Sequence, residues 1–250
     1  MSLPEIVPAE QWRVAREALL GREKELRRAQ DALNAERRRL PMVRVTAPYR
    51  FEGPDGPVGL RDLFGGRRQL IVQHVMWDPA WEEACQSCSG SVDEYSDGLL
   101  AHLAERETRL VAIARAPYAK IAPYVARRGW TLPFYSSFGS PFNYDFHVSI
   151  DAAVLPVRFN YRDLPALEEA GQGWLAGAPS EQPGLSCFLL DGDEVFHTYS
   201  TYARGTDFGG AYGFLDLTAL GRQEEWEEPK GRYEAPRVSA PVFEALPGRG

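Results

Sequence analysis

Leu70-Ile71-Val72-Gln73-His74-Val75-Met76-Trp77, followed shortly by Cys85-Gln86-Ser87-Cys88, is the stretch that decides the fold. The first segment is a nearly continuous apolar run of strand length, the pattern of a central strand buried on both faces. After Asp78–Ala84 and the cysteines, Ser91 to about Glu107 reads as a helix with Val92, Tyr95, Leu99 and Leu103 on one side. Arg109–Ala114 is a second buried strand. Pro117–Arg128 is a second helix, which Pro117 opens and Gly129 closes. Strand, helix, strand, helix implies parallel pairing with crossovers. Leu185–Leu190 and Glu194–Tyr199, joined by Asp191-Gly192-Asp193, read as a β-hairpin closing the sheet. The expected class is α/β, a central mixed sheet flanked by helices.

From Ala9 to about Arg39 the chain is rich in Ala, Leu, Glu and Arg, strong helix formers, and Pro41 stops the run. Trp12, Ala15, Leu19, Leu26, Ala29 and Leu33 form a narrow apolar stripe, suited to lying along the domain or to pairing two copies into a homodimer. Arg37-Arg38-Arg39 reads as a solvated face. Short strand signals follow at Met42–Thr46 and Tyr49–Glu52, then a turn at Gly53-Pro54-Asp55-Gly56 and a brief helix at Leu60–Phe64. Trp130 to about Pro183 reads as an aromatic-rich insertion of loops and short elements. Tyr212–Leu217 reads as a further strand or the start of a last helix. The expected organisation is a helical extension over 1–41, one domain over 42–224, and a loosely held acidic, Pro-rich tail over 225–250.

The chain has 250 residues, 44% hydrophobic and 25% charged, which is ordinary globular composition with ample length for a core. A net charge of −7 argues against a nucleic-acid partner. No apolar run reaches membrane-spanning length and the N-terminus lacks a signal-peptide pattern, so a cytoplasmic protein without a membrane partner is expected. The glycines match neither a P-loop nor a dinucleotide fingerprint.

Three cysteines are too few for a disulfide framework, and in a reducing compartment a close pair indicates redox or metal chemistry. At a helix N-terminus the unsatisfied N–H groups stabilise a thiolate, making Cys85 the attacking sulfur. Cys88, about one turn on, is placed to resolve a mixed disulfide. Half of a zinc site, or two inert thiols, are the alternatives. Cys187, in an apolar strand, reads as a core residue.

Beyond the cysteines, Leu19–Glu25, Arg37–Pro41, Cys85–Ser89, Arg128-Gly129-Trp130, Ser136–Gly139, Phe142–Phe146, His197–Gly205 and Leu220–Gln223 resemble the thioredoxin-like family known as domain of unknown function 899. The resemblance covers about residues 9–224. It implies a thioredoxin-like fold and a dithiol-disulfide oxidoreductase acting on a small-molecule or protein thiol or disulfide, with no cofactor required. Thioredoxins place Trp-Cys directly after the strand, whereas Asp78–Ala84 intervene here. Registering Gly184–Phe188 on the segment facing the thioredoxin disulfide puts Ser186 where a cis-proline is expected. That proline blocks metal binding, so its replacement favours a metal.

The four histidines sharpen the alternative. His74 is on the central strand, His147 follows Phe142–Phe146 and His197 is on the hairpin; His102 is expected on a solvated helix face. Copper chaperones of the thioredoxin fold resemble this set, and thiolate with imidazole suits copper or zinc. Cys85, Cys88, His147 and His197 are therefore the expected metal ligands in that reading, with His74 a weaker one. Tyr144 and Tyr199 are expected substrate-binding residues, within an aromatic wall shared with Tyr135 and Tyr202. Arg204 is expected to orient an anionic substrate or to pair with Asp207 or Asp145.

Overall fold

In the computed structural model, residues 4–202 are described together with Glu225 and Lys230. Arg204, Asp207, the segment Tyr212–Leu217 and the tail lie outside or almost wholly outside these residues. The chain divides into two compact units, one containing Met1–Pro41 and the other Met42–Gly210.

In the first unit, helix α1 spans Ala9–Arg37 and buries none of its residues. Arg13 forms ion pairs with Glu10 and Glu17 at 2.6 and 2.7 Å, within one helical turn on either side. Trp12, Leu19, Leu26 and Leu33 of the apolar stripe are exposed.

The second unit begins with three short strands, β1 (Val43–Arg44), β2 (Arg50–Gly53) and β3 (Gly56–Gly59), and a 3-10 turn at Asp62–Phe64. Strand β4 (Gln69–His74) precedes the cysteines and helices α2 (Gln86–Asp93) and α3 (Asp97–Ala104). Strand β5 (Thr108–Ala114), helix α4 (Tyr118–Arg128) and strand β6 (Phe134–Ser136) complete a β-α-β-α-β run. The aromatic-rich insertion supplies α5 (Phe142–Asp145), β7 (Ser149–Ile150), β8 (Arg158–Phe159), β9 (Arg162–Asp163), α6 (Leu164–Glu169) and β10 (Ser180–Glu181). Strands β11 (Gly184–Asp191) and β12 (Glu194–Tyr202) form the closing hairpin.

The main sheet has eight strands in the order β1-β12-β11-β4-β5-β6-β2-β3. Strands β4, β5 and β6 are parallel, and β11 runs antiparallel to β4. A parallel strand-helix-strand unit with an antiparallel hairpin beside its first strand is the thioredoxin-like arrangement. The helix expected over Ser91–Glu107 is divided: α2 ends at Asp93 and Ser96 caps α3 by accepting from the Leu99 N–H. Gly129 closes α4 in the left-handed conformation at φ +66°. In the hairpin turn only Gly192 has positive φ, +58°.

Strand alternation sorts the core into two layers. Leu70, Val72, Val111 and Ile113 pack with Tyr49, Phe142, Phe146 and Phe188 on one face of the sheet. Val75, Leu110, Ala112, Ala114 and Trp77 pack with Cys88, Val92, Ile121 and Tyr124 on the other. Each fully buried large side chain contributes about 1.5–3 kcal/mol.

One irregularity changes what the hairpin presents. The β11–β12 register shifts between Cys187, opposite Tyr199, and Phe188, opposite His197, so Thr198 is an extra residue in β12. Its hydroxyl donates to the Cys187 carbonyl at 3.0 Å. Such a bulge reverses the alternation beyond it. His197 and Ser200, an odd number of residues apart, therefore share a face.

Candidate active site

Cys85 is the N-cap residue of α2, in an extended conformation at φ −52° and ψ 130°. Its N–H donates to the carbonyl of Met76 at 3.0 Å. The intervening Asp78–Ala84 thus forms an excursion that returns the chain to the strand end. Despite the intervening residues, Cys85 stands at a helix N-terminus beside the end of β4. The excursion is braced within itself and from α4: Ala80 N–H donates to Asp78 Oδ1 at 2.8 Å, and Lys120 Nζ to the carbonyl of Pro79 at 2.9 Å.

The two thiols are free and unequal, with Cys85 half-buried and Cys88 buried. The Cys85 thiol is held down at about pKa 6, chiefly by the hydrogen bond from the Cys88 thiol and also by the backbone N–H groups of Ser87 and Cys88, against the opposing cost of burial. Cys88 is pushed well above an ordinary thiol by that same bond, by burial and by the charge on Cys85. The pair therefore shares one proton, held on Cys88. Cys187 lies within β11, half-buried, with its thiol raised to about 11 by burial.

A charged network lies across the same end of the parallel strands. Arg115, immediately after β5, donates from Nε to Glu181 Oε1 at 2.7 Å and from Nη2 to Asp78 Oδ2 at 2.5 Å. Ser149 donates to Glu181 at 2.8 Å. Arg115 also donates to the Tyr144 hydroxyl at 3.3 Å, its guanidinium 5.6 Å from that ring. Burial raises the Glu181 carboxyl, with Arg115 opposing. The network ties the excursion to the insertion and includes Tyr144. It joins residues far apart in sequence, and no local pattern announces it.

The histidines are elsewhere. His74 shares the parity of Leu70 and Val72 and lies 5.7 Å from the Phe142 ring, while His197 lies 5.2 Å from Phe146, both in the layer opposite Cys88. His147 follows Phe146 in the left-handed region at φ +54°. The structure does not bring His74, His147 or His197 to the cysteines. Among the described residues no three His, Cys, Asp or Glu side chains are grouped to hold a metal ion. Alternation and the bulge are the physical reason, because they turn His74 and His197 away from the cysteine face.

Ser186 also departs from its expected place. The residue immediately before β11 is Pro183; Ser186 lies inside the strand opposite Val72. Its hydroxyl is 2.8 Å from His74 Nε2 and 2.8 Å from Ser200 Oγ, which is in turn 2.8 Å from His197 Nε2. These four side chains form one hydrogen-bonded chain across three strands. His74 Nδ1 is buried without a partner, and a lone acceptor there costs less than an orphan N–H. On that ground the proton is on His74 Nε2, and the serines donate in turn toward His197. Burial lowers both histidines, His74 to about 3, so the chain is neutral near pH 7. Tyr199 pairs with Cys187 two strands from β4, and Arg204 lies outside the described residues. His102 is exposed near the end of α3.

The family model described as "Bacterial protein of unknown function (DUF899)" matches residues 1–238. The chain belongs to this family. None of the curated proteins compared with this DUF899 member matches it. Among solved structures, a mutant of Xanthomonas campestris Peroxiredoxin Q is similar at 11% identity and a TM-score of 0.42, covering 65% of this chain and 87% of that one. Peroxidoxin BcpB from Mycobacterium tuberculosis is similar at 16% identity and TM-score 0.43, covering 67% and 88%. Hypothetical protein SMc02350 from Sinorhizobium meliloti 1021 is similar at 12% identity and TM-score 0.39, covering 72% and 86%. No helix among the described residues is long and apolar enough to cross a membrane.

Proposed function

We propose that this DUF899 protein is a dithiol-disulfide oxidoreductase in which Cys85 attacks and Cys88 resolves. The observation that carries the reading is the inequality of the pair: a half-buried thiolate at a helix N-terminus, hydrogen-bonded by a buried thiol that keeps its proton. On a disulfide substrate, Cys85 Sγ bonds to one substrate sulfur and the other leaves as a thiol after taking a proton. Cys88 then loses its proton and attacks Cys85 Sγ. This closes the Cys85–Cys88 disulfide and releases the second substrate sulfur. On a peroxide, Cys85 takes the terminal oxygen and releases water or an alcohol; its sulfenic acid then condenses with Cys88, expelling water. An external thiol restores the dithiol. Arg115 acts as a positioning residue through Asp78, and Tyr144 acts with it rather than as a separate substrate contact.

The test is the alkylation rate of Cys85 against pH in the reduced protein, followed by mass spectrometry. Half-maximal reaction near pH 6 at Cys85, with Cys88 unreactive, is expected. Half-maximal reaction above pH 8 at both cysteines overturns the reading. Turnover with a disulfide and with an alkyl hydroperoxide then separates the two substrate classes.

A further inference from the structure

On the face of the sheet opposite Cys88, a cavity of about 700 Å³ opens beside β1, β12 and the β8–β9 hairpin. Its volume is within the roughly 300–1,000 Å³ of small-molecule sites. Three cavity-lining side chains have unused hydrogen-bond donors. Arg158 and Arg162 neither donate a hydrogen bond nor join an ion pair among the described residues, and half-buried His147 has no side-chain hydrogen bond there either. The two acidic groups of the wall are already engaged. Asp145 accepts from the Tyr49 hydroxyl at 2.7 Å, and Asp163 caps α6 by accepting from the Ala166 N–H at 3.3 Å. Arg44, the third arginine of the wall, is paired with Glu194. Asp145 also faces His147, and among the described residues the unengaged charged side chains left on the wall, Arg158 and Arg162, carry donors only.

Much of the remaining wall is aromatic. Phe146, Tyr161, Tyr202 and the His197 ring line it, with Tyr161 edge-on to Tyr202 at 5.6 Å. Local geometry fixes the backbone here. Asn160 and Tyr161, at φ +48° and +62°, are the central pair of the two-residue turn joining β8 and β9. His147, at +54°, is the left-handed residue that ends α5, its N–H donating to the Tyr144 carbonyl at 2.9 Å and that of Val148 to Asn143 at 2.9 Å. Tyr161 is held by its hydroxyl, which donates to the Ser200 carbonyl at 2.7 Å. Ser200 also fixes His197 through the four-residue chain, so the cavity floor is ordered before any ligand arrives.

We infer that this cavity is a binding site for a planar organic anion, its carboxylate or phosphate taken by Arg158, Arg162 and His147 and its flat body laid on the aromatic wall. A guanidinium presents a fork of donors that matches either group, and two of them define an orientation. Binding here is separate from the cysteine chemistry, since the sheet stands between.

The test is calorimetric titration of the full reduced chain with benzoate, phenyl phosphate and inorganic phosphate. Binding of both aromatic anions in the millimolar range or tighter, with inorganic phosphate at least about tenfold weaker, is expected. Arg158→Ala and Arg162→Ala each weaken the aromatic anions roughly tenfold, and the two lysine variants recover part of the loss. Because both arginine side chains are exposed, circular dichroism of these variants should match the parent. Nuclear magnetic resonance supplies the second readout: the His147 resonance, assigned by its loss in His147→Ala, titrates at higher pH when an anion sits beside it. Absence of binding at about 10 mM, binding indifferent to both arginines, or phosphate binding as tightly as phenyl phosphate each overturns the inference.

Discussion

The two faces of one sheet carry opposite kinds of polar chemistry. On the Cys88 side, two sulfurs share a proton unequally, and the arrangement stabilises a charge near neutral pH. On the His74 side, two imidazoles and two hydroxyls share protons in a linear, neutral chain, and burial penalises any added charge. The difference follows from what each cluster meets. Cys85 meets helix N–H groups, which favour an anion. His74 meets Phe142 and Phe146 and no counter-charge among the described residues. Residues one apart on β4 and its extension, His74 and Val75, belong to these different worlds because the strand alternates.

Independence of the faces can be broken most severely at Cys85. Cys85→Ser should lower turnover by at least about a thousandfold, since the hydroxyl is not ionised near neutral pH and no other sulfur takes its place. Folding should survive, and thermal unfolding within a few degrees of the parent would show it. Arg115→Met comes next and is read in stability. It leaves Glu181, whose side chain is 1% exposed, without its cationic partner, and a loss of about 3 kcal/mol in denaturant unfolding is expected.

His74→Gln tests the other face through pH. A histidine whose folded value is near 3 and whose unfolded value is 6.5 binds fewer protons when folded, so it makes stability fall as pH drops from about 6.5 towards 3. The glutamine variant should flatten that part of the stability curve by a few kcal/mol while leaving the Cys85 alkylation profile where it was. A shifted cysteine profile would show that the faces communicate. The smallest expected change in rate comes from Cys88→Ala. With the thiol donor removed, the Cys85 midpoint should climb above 6, yet alkylation near pH 7 should change only a few-fold, because a more basic thiolate is also a better nucleophile. The pH profile, not the rate, is the measurement.

Much of this frame is readable from residue order alone. The apolar run ending at Trp77, the alternation through Arg128 and the Asp-Gly turn announce the parallel unit and the hairpin. The helix start is less legible, since the pattern begins it at Ser91, whereas α2 starts at Gln86 with Cys85 as its N-cap. The partition of the histidines is not legible. Strict alternation places His197 on one face and Ser200 on the other, and only the extra residue Thr198 brings them together. The bulge has no signature in a stretch of β-formers. Pro183, two residues before the apolar part of β11, escapes a registration that settles on Ser186, because the strand's true start, Gly184, is a poor β-former. The Asp78–Arg115–Glu181 network and the cavity are equally hidden, being assembled from the insertion whose short elements have no period.

The excursion over Asp78–Ala84 has one more implication. Its two ends are joined by the hydrogen bond from Cys85 N–H to the Met76 carbonyl, so the position of the sulfur does not depend on how many residues lie between. Apart from Asp78, which Arg115 holds, side chains there can vary and change what is admitted to the thiolate while this bond keeps the sulfur in place. Trp81, exposed at the crest of the excursion, is where such divergence would first be visible.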